Sequence, residues 1–119
     1  MKVAVNKCDF DSPTSVCSYA YRARKALEPC PTSRRLAFVV NLLMLEDMRR
    51  RGEIREGDAA YVAIEGPVSK DFFRLKRIVE GLQIITISEY AKRWLRALAE
   101  DVDVVYPGVD KLSILFLRF

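Results

Sequence analysis

The chain has no histidine. That removes Ser-His and Cys-His catalysis and every zinc site that depends on imidazole. Its three cysteines, Cys8, Cys17 and Cys30, form no C-x-x-C pair, so a paired-thiolate metal site is absent as well. At most one disulfide can form among them. Asn occurs twice and Gln once, while 30% of residues are charged. Scarce thermolabile amides and abundant charge point to a thermophile, where intracellular disulfides are less unusual. Long hydrophobic runs are missing too. The longest, Leu36 to Leu45, is interrupted by Asn41 and is far too short to span a bilayer. Lys2 is followed by Val-Ala-Val and then polar residues, with no secretory apolar core. The expectation is a cytoplasmic protein without a transmembrane segment, at most peripheral at a membrane.

What is present is a globular composition. Half of the 119 residues are hydrophobic, which fits a single domain with a modest core. The net charge is +4, a mild excess suited to phosphate-bearing ligands or an anionic surface. The basic residues sit beside acidic ones in helical stretches, the pattern of a solvated face. Arg34, Arg35 and the run Arg49, Arg50, Arg51 form no recognisable nucleic-acid motif, so nucleic acid is not expected as a partner.

Lys2 to Asn6 reads as a short buried strand. Ser12 before Pro13 starts a helix carrying Val16, Tyr19, Ala20, Ala23 and Leu27, which Pro29 and Pro31 stop. Thr32 or Ser33 starts a second helix. It runs through Leu36, Val39, Val40, Leu43 and Met44 to Arg51, and Gly52 ends it. A strand over Leu36 to Val40 is the alternative there. Ala60 to Ile64 is the next strand. Ser69 caps a helix carrying Phe72, Leu75, Ile78, Val79 and Leu82. Ile84 to Ile87 is a strand, and Ser88 caps a helix with Ala91, Trp94, Leu95 and Leu98 on one face. Val102 to Tyr106 is a strand, and Leu112 to Leu117 is a last strand-like run. The order β-α-α-β-α-β-α-β-β predicts one α/β domain over residues 1–119. Its sheet would be mainly parallel, Rossmann-like and three-layered, with right-handed crossovers and an extra edge strand in 111–119.

In an open parallel sheet, ligands bind beyond the carboxyl ends of the strands. The loops expected there carry Asp9, Asp11 and Ser12, then Glu65 and Gly66, then Ser88, Glu89 and Tyr90, then Pro107 and Gly108. Three of them lead into helices, whose free N–H groups favour anions. Asp9 and Asp11 are candidate catalytic carboxylates, or they only shape the loop and cap a helix. Glu65 is a candidate general base at a strand end, or a solvated loop residue. Ser88 is foremost a helix N-cap, a role compatible with donating to a ligand. Trp94 belongs with the core. Arg49, Arg50 and Arg51 fit a solvated helix C-terminus. The cysteines read as small buried residues, since no partner base is in view.

The segment Ile84-Ile-Thr-Ile-Ser-Glu-Tyr-Ala-Lys-Arg93 resembles the strand and Ser-x-x-x-(Lys/Arg) element in the N-terminal domain of group 1, GT-B fold glycosyltransferases. Ser88 and Lys92 fill its two named positions. Val102-Asp-Val-Val-Tyr-Pro-Gly-Val-Asp110 follows at the distance of the family's next element, which ends the N-terminal domain. Met1 to Val5 resembles the family's start, and Ala60 to Pro67 its strand ending near the cleft. The pair of motifs covers about a quarter of the chain, and the rest matches in pattern only. Four features depart from the family: a histidine often found in its N-terminal half is missing, that half is shorter than usual, and two further departures stand out. Asp9-Phe-Asp-Ser-Pro13 stands where a glycine-rich turn is usual, and the second, donor-binding domain finds no room in 119 residues.

The resemblance therefore implies the acceptor-side half of a sugar-nucleotide-dependent glycosyl transfer enzyme, inactive alone. Ser12, Gly66, Ser88, Glu89, Lys92, Pro107 and Gly108 would line its cleft. The donor would be a nucleotide-sugar, with no tightly bound cofactor and no metal, and the acceptor a sugar or a lipid-linked sugar. The partner would be a separate C-terminal-domain chain. The competing expectation is a non-catalytic binding or assembly module on the same fold, homodimeric through the apolar segment Leu112 to Phe119.

Overall fold

The computed structural model describes residues 1–5, 15–63 and 71–106. These residues form an α/β domain with a five-stranded, all-parallel sheet and four helices. The elements alternate strictly: β1 (Lys2–Val5), α1 (Ser15–Leu27), β2 (Arg35–Val39), α2 (Leu42–Arg50), β3 (Ala59–Val62), α3 (Phe72–Val79), β4 (Gln83–Thr86), α4 (Glu89–Leu95) and β5 (Val102–Val104). The expected strand-like run over Leu112 to Leu117 lies outside the described residues, as do Ser12, Pro13 and Ser69. At the N-cap position of α3 stands Asp71, whose side chain makes no cap hydrogen bond.

One expectation is corrected. The stretch from Thr32 is not a single long helix: Arg35–Val39 is a strand, and α2 begins only at Leu42. Burial explains the ambiguity. Leu36, Ala37, Phe38 and Val39 are all buried, because β2 is covered on both faces and flanked by β1 and β3. A strand of that kind shows no alternation and cannot be told from a buried helix by periodicity. Asn41 makes the break. Its backbone is extended (φ −143°, ψ 170°), and its side chain accepts a hydrogen bond from the Met44 N–H at 3.2 Å.

The strands pair in the order β1-β2-β3-β4-β5. Residues on the two faces feed two separate cores. Leu36, Phe38, Ala59, Tyr61 and Ile85 pack with Ala20, Ala23 and Leu27 of α1. Ala37, Val39, Ala60, Val62 and Ile84 pack with α2, α3 and α4 on the opposite face. This gives three layers and has a consequence for handedness. The crossovers β1–α1–β2 and β2–α2–β3 step in the same direction yet place their helices on opposite faces, so they have opposite hands. Right-handed crossovers make up about 98% of such connections. The β1–α1–β2 crossover therefore differs in hand from the three that share a face.

One polar anchor ties α2 to α3 within the layer they share. Arg49 reaches from α2 to the end of α3. Its Nη1 donates to the carbonyls of Ile78 (2.7 Å), Glu80 (2.8 Å) and Arg77 (3.4 Å) at the C-terminal end of α3, where helix carbonyls run out of intrahelical donors. The expectation of three solvated arginines therefore holds for Arg50 and Arg51, whose side chains pair with Glu46 and Asp47, and fails for Arg49. Arg49→Ala should lower stability by about 1–3 kcal/mol in urea melts. Arg49→Lys should recover only part of it, because a compact ammonium reaches fewer carbonyls. Wild-type melts for both variants would remove Arg49 from the α2–α3 contact. Beyond α3, Gly81 takes φ +76°, and a Cβ there would strike the Glu56 side chain, so the turn needs glycine.

Candidate functional site

The carboxyl edge of the sheet is built mainly by hydrogen bonds that run past the ends of the strands. Ala63 N–H donates to the Val39 carbonyl at 3.0 Å, and Val105 N–H to the Thr86 carbonyl at 2.9 Å. The Thr86 hydroxyl, fully buried, donates to the Val62 carbonyl at 2.8 Å. The Tyr61 hydroxyl donates to the Val105 carbonyl at 3.0 Å, reaching across β4 from β3 to the end of β5. These bonds hold the strand ends in fixed register, which a binding edge requires.

The helices α1 and α2, which follow the neighbouring strands β1 and β2, pack on opposite faces of the sheet. On the β2 side lie half-buried Val40 and Asn41 and the start of α2. Residues 6–14 join β1 to α1 and carry Asp9, Asp11 and Ser12, and they lie outside the described residues. So do Glu65, Gly66, Pro107 and Gly108.

Ser88, Glu89 and Lys92 are described, and the structure separates them. Ser88 is extended (φ −151°, ψ 160°), and its hydroxyl accepts from the Ala91 N–H at 3.1 Å, the N-cap geometry read from the sequence. Glu89 follows as the exposed first residue of α4, where a negative charge complements the helix dipole. Asn41 and Ser88 thus cap helices that start beyond β2 and β4, two strand spacings or about 10 Å apart along one edge. Lys92, one turn further, instead lines a groove between α3 and α4. Trp94 is only half-buried. Its ring meets Tyr90 edge-on at 6.2 Å, and its buried Nε1 has no hydrogen-bond partner among the described residues.

That groove lies toward the amino edge of the sheet, away from the expected cleft. It encloses about 1390 Å³ over an apolar floor of Val79, Leu82, Leu98 and Val102. Nothing in the sequence marked it, because α3 and α4 each read as an ordinary amphipathic helix. Asp58 was missed for a similar reason. It precedes β3, is 6% exposed, and its two carboxylate oxygens accept from the Arg35 N–H (3.0 Å) and the Arg55 N–H (2.9 Å).

Elsewhere the electrostatics are those of an exposed surface. Arg74 donates two hydrogen bonds to Glu46, at 3.0 and 2.7 Å. These bonds, and the attraction of the guanidinium, hold the Glu46 carboxyl below the usual glutamate range and raise the Arg74 pKa. Cys30 is a free, half-buried thiol packed on the α1 core. Among the described residues no group of three His, Cys, Asp or Glu side chains could hold a metal ion. No helix there is long and apolar enough to cross a membrane.

The fold is that of a Rossmann-like, three-layered α/β domain with a five-stranded parallel sheet. Comparison with family models, with curated proteins and with solved structures finds no match.

Proposed function

We propose that the chain is the acceptor-side half of a sugar-nucleotide-dependent glycosyl transfer enzyme, completed by a second chain. The observation that supports this reading is the β4–Ser88–α4–β5 unit. Ser88 caps α4 just beyond the carboxyl end of β4, with Glu89 exposed beside it and β5 pairing in parallel alongside. A hydroxyl at a helix start on a rigid sheet edge can orient a sugar hydroxyl while it caps the helix. In this reading Lys92 stands off the acceptor, because it borders the α3–α4 groove. The donor is a nucleotide-sugar held chiefly by the second chain, and the acceptor is a sugar or a lipid-linked sugar.

The test is a titration of the purified chain with UDP- and GDP-sugars and simple glycoside acceptors. It is run alone and with the donor-binding domain of a group 1 glycosyltransferase added in trans. Acceptor binding, or transfer with the added domain, that weakens about tenfold or more in Ser88→Ala supports the reading. An absence of binding and transfer in every combination refutes it.

A second reading, a non-catalytic assembly module, draws on a different observation. The α3–α4 groove extends toward the amino edge of the sheet, away from Ser88, and the exposed Phe73 borders it. A chain that associates and binds no sugar or nucleotide supports this second reading.

A further inference from the structure

The lining of the α3–α4 groove changes in character along its length. Both helices run from the carboxyl edge of the sheet toward its amino edge. At the start of α3, Phe73 borders the groove and is 77% exposed, so it presents a ring face to solvent. Next come cations on both walls, Lys76 and Arg77 on α3 and Lys92 and Arg96 on α4. None of these four makes an ion pair among the described residues. Their neighbours in the same layer are engaged: Arg50, Arg51 and Arg74 by carboxylates and Arg49 by carbonyls. Lys76 has a ring contact, its Nζ lying 5.9 Å from the centre of Phe72.

The amino end of the groove is of mixed sign. Glu80, Glu100, Asp101 and Asp103 line it together with Arg34. The Arg34 Nη2 donates to the Gln83 Oε1 at 2.6 Å, and the Gln83 Nε2 donates to Asp103 at 3.4 Å. This end is bridged internally, and its carboxylates oppose any anion that extends past Arg77 and Arg96. An aromatic ring, then a convergence of cations, then carboxylates is an order that a nucleoside diphosphate matches. Its base stacks on Phe73 and its two phosphates sit between the walls. A third phosphate would reach the carboxylates. The length fits as well: α3 has 8 residues and is roughly 12 Å long, room for one nucleotide and too short for a strand of them.

We infer that the α3–α4 groove binds a nucleoside diphosphate. Arg77 and Arg96 offer planar forks to the phosphates, while Lys76 and Lys92 reach them on flexible stems. The site uses neither Ser88 nor the carboxyl edge, so it stands or falls apart from the acceptor reading.

Calorimetric titration of the full chain at low ionic strength tests this with ADP, UDP, ATP, adenosine and inorganic pyrophosphate. ADP and UDP should bind, pyrophosphate more weakly, and adenosine least. ATP should bind no more tightly than ADP. Lys92→Gln with Arg96→Gln removes the cations of one wall, and Lys76→Gln with Arg77→Gln those of the other. Each pair should weaken ADP about tenfold or more. Lys76, Arg77 and Arg96 are exposed, so the circular dichroism spectrum should stay that of the wild type. Phe73→Ala should weaken ADP about fivefold or more and leave pyrophosphate unchanged. Arg22→Gln with Arg24→Gln, an equal loss of charge on α1, should leave ADP binding nearly as it was. A wild type that binds neither ADP, UDP nor pyrophosphate overturns the proposal. So does ADP binding that survives both groove pairs, or that falls as far in the α1 pair. Affinity that climbs from ADP to ATP, or is indifferent to Phe73→Ala, overturns the nucleoside diphosphate assignment in favour of plain charge attraction.

Discussion

Replacing Tyr61 with alanine is expected to cost about 3–5 kcal/mol of folding stability, the range for losing a large buried aromatic. Tyr61 is fully buried on β3, in the core that α1 covers, and its ring lies 5.1 Å from that of Phe38. Truncation removes the ring and leaves a void that Phe38 and Ile85 cannot close without moving strands of a paired sheet. It also strips the Val105 carbonyl of its donor, at the end of β5. A second variant separates the two contributions. Tyr61→Phe keeps the ring and loses only the hydroxyl, so about 1–2 kcal/mol should disappear with it. Urea unfolding of the three proteins measures both differences. If Tyr61→Phe costs as much as Tyr61→Ala, the hydrogen bond to β5 outweighs the packing. A loss below about 1 kcal/mol for alanine would mean the core is not packed as described.

Asp58→Ala is expected to cost about 2–5 kcal/mol, with loosening concentrated at the amino edge of the sheet. The carboxylate satisfies two backbone N–H groups from different parts of the chain, Arg35 at the start of β2 and Arg55 in the turn before β3. Alanine leaves both donors without that acceptor, and each unpaired donor in a buried setting costs about 1–3 kcal/mol. The backbone of Asp58 also accepts from the Gln83 N–H at 3.0 Å, so β2, β3 and β4 all begin around this residue. Asp58→Asn offers one carbonyl oxygen in place of two carboxylate oxygens and should lose roughly half as much. Hydrogen exchange provides a local readout: the amides of Arg35 and Arg55 should lose protection in Asp58→Ala. Unchanged protection at both would remove the carboxylate from its role as a clamp.

Both residues show where reading the sequence stops. Tyr61 sits in a run, Ala60 to Ile64, that is legible as a strand, and so its burial was foreseeable. That its hydroxyl ends on Val105 was not, since the acceptor is 44 residues away. Asp58 reads as a polar turn residue. Its function as a clamp depends on Arg35, which the sequence assigned to a helix. Asn41 is the instructive case between these. Its cap on Met44 is a contact over three residues, and the signal was present in the chain. The apolar run on either side of it outweighed that signal.

The candidate site divides in the same way. Ser88 was readable because an N-cap is local: extended backbone, a hydroxyl, and a free N–H three residues on. The neighbouring assignment of Lys92 to the same cleft came from the resemblance to the glycosyltransferase element, and Lys92 lines the α3–α4 groove. A four-residue step brings two side chains to one side of a helix but a full turn apart along it, and the turn is enough to change neighbourhoods.

The sequence by itself determined the α/β class, the runs of β1, β3, β4 and β5, the apolar faces of the helices and the cap at Ser88. Each depends on interactions within a few residues, where side-chain size and backbone preference leave little choice. Only the tertiary structure decided that Arg35–Val39 is a strand and that the strands lie in the order 1-2-3-4-5. It alone placed α1 on one face and the other helices on the opposite one, docked Arg49 on the end of α3, and left a two-signed groove between α3 and α4. These features join residues far apart in the chain. Their energies exist only once the sheet has assembled, so no local pattern encodes them.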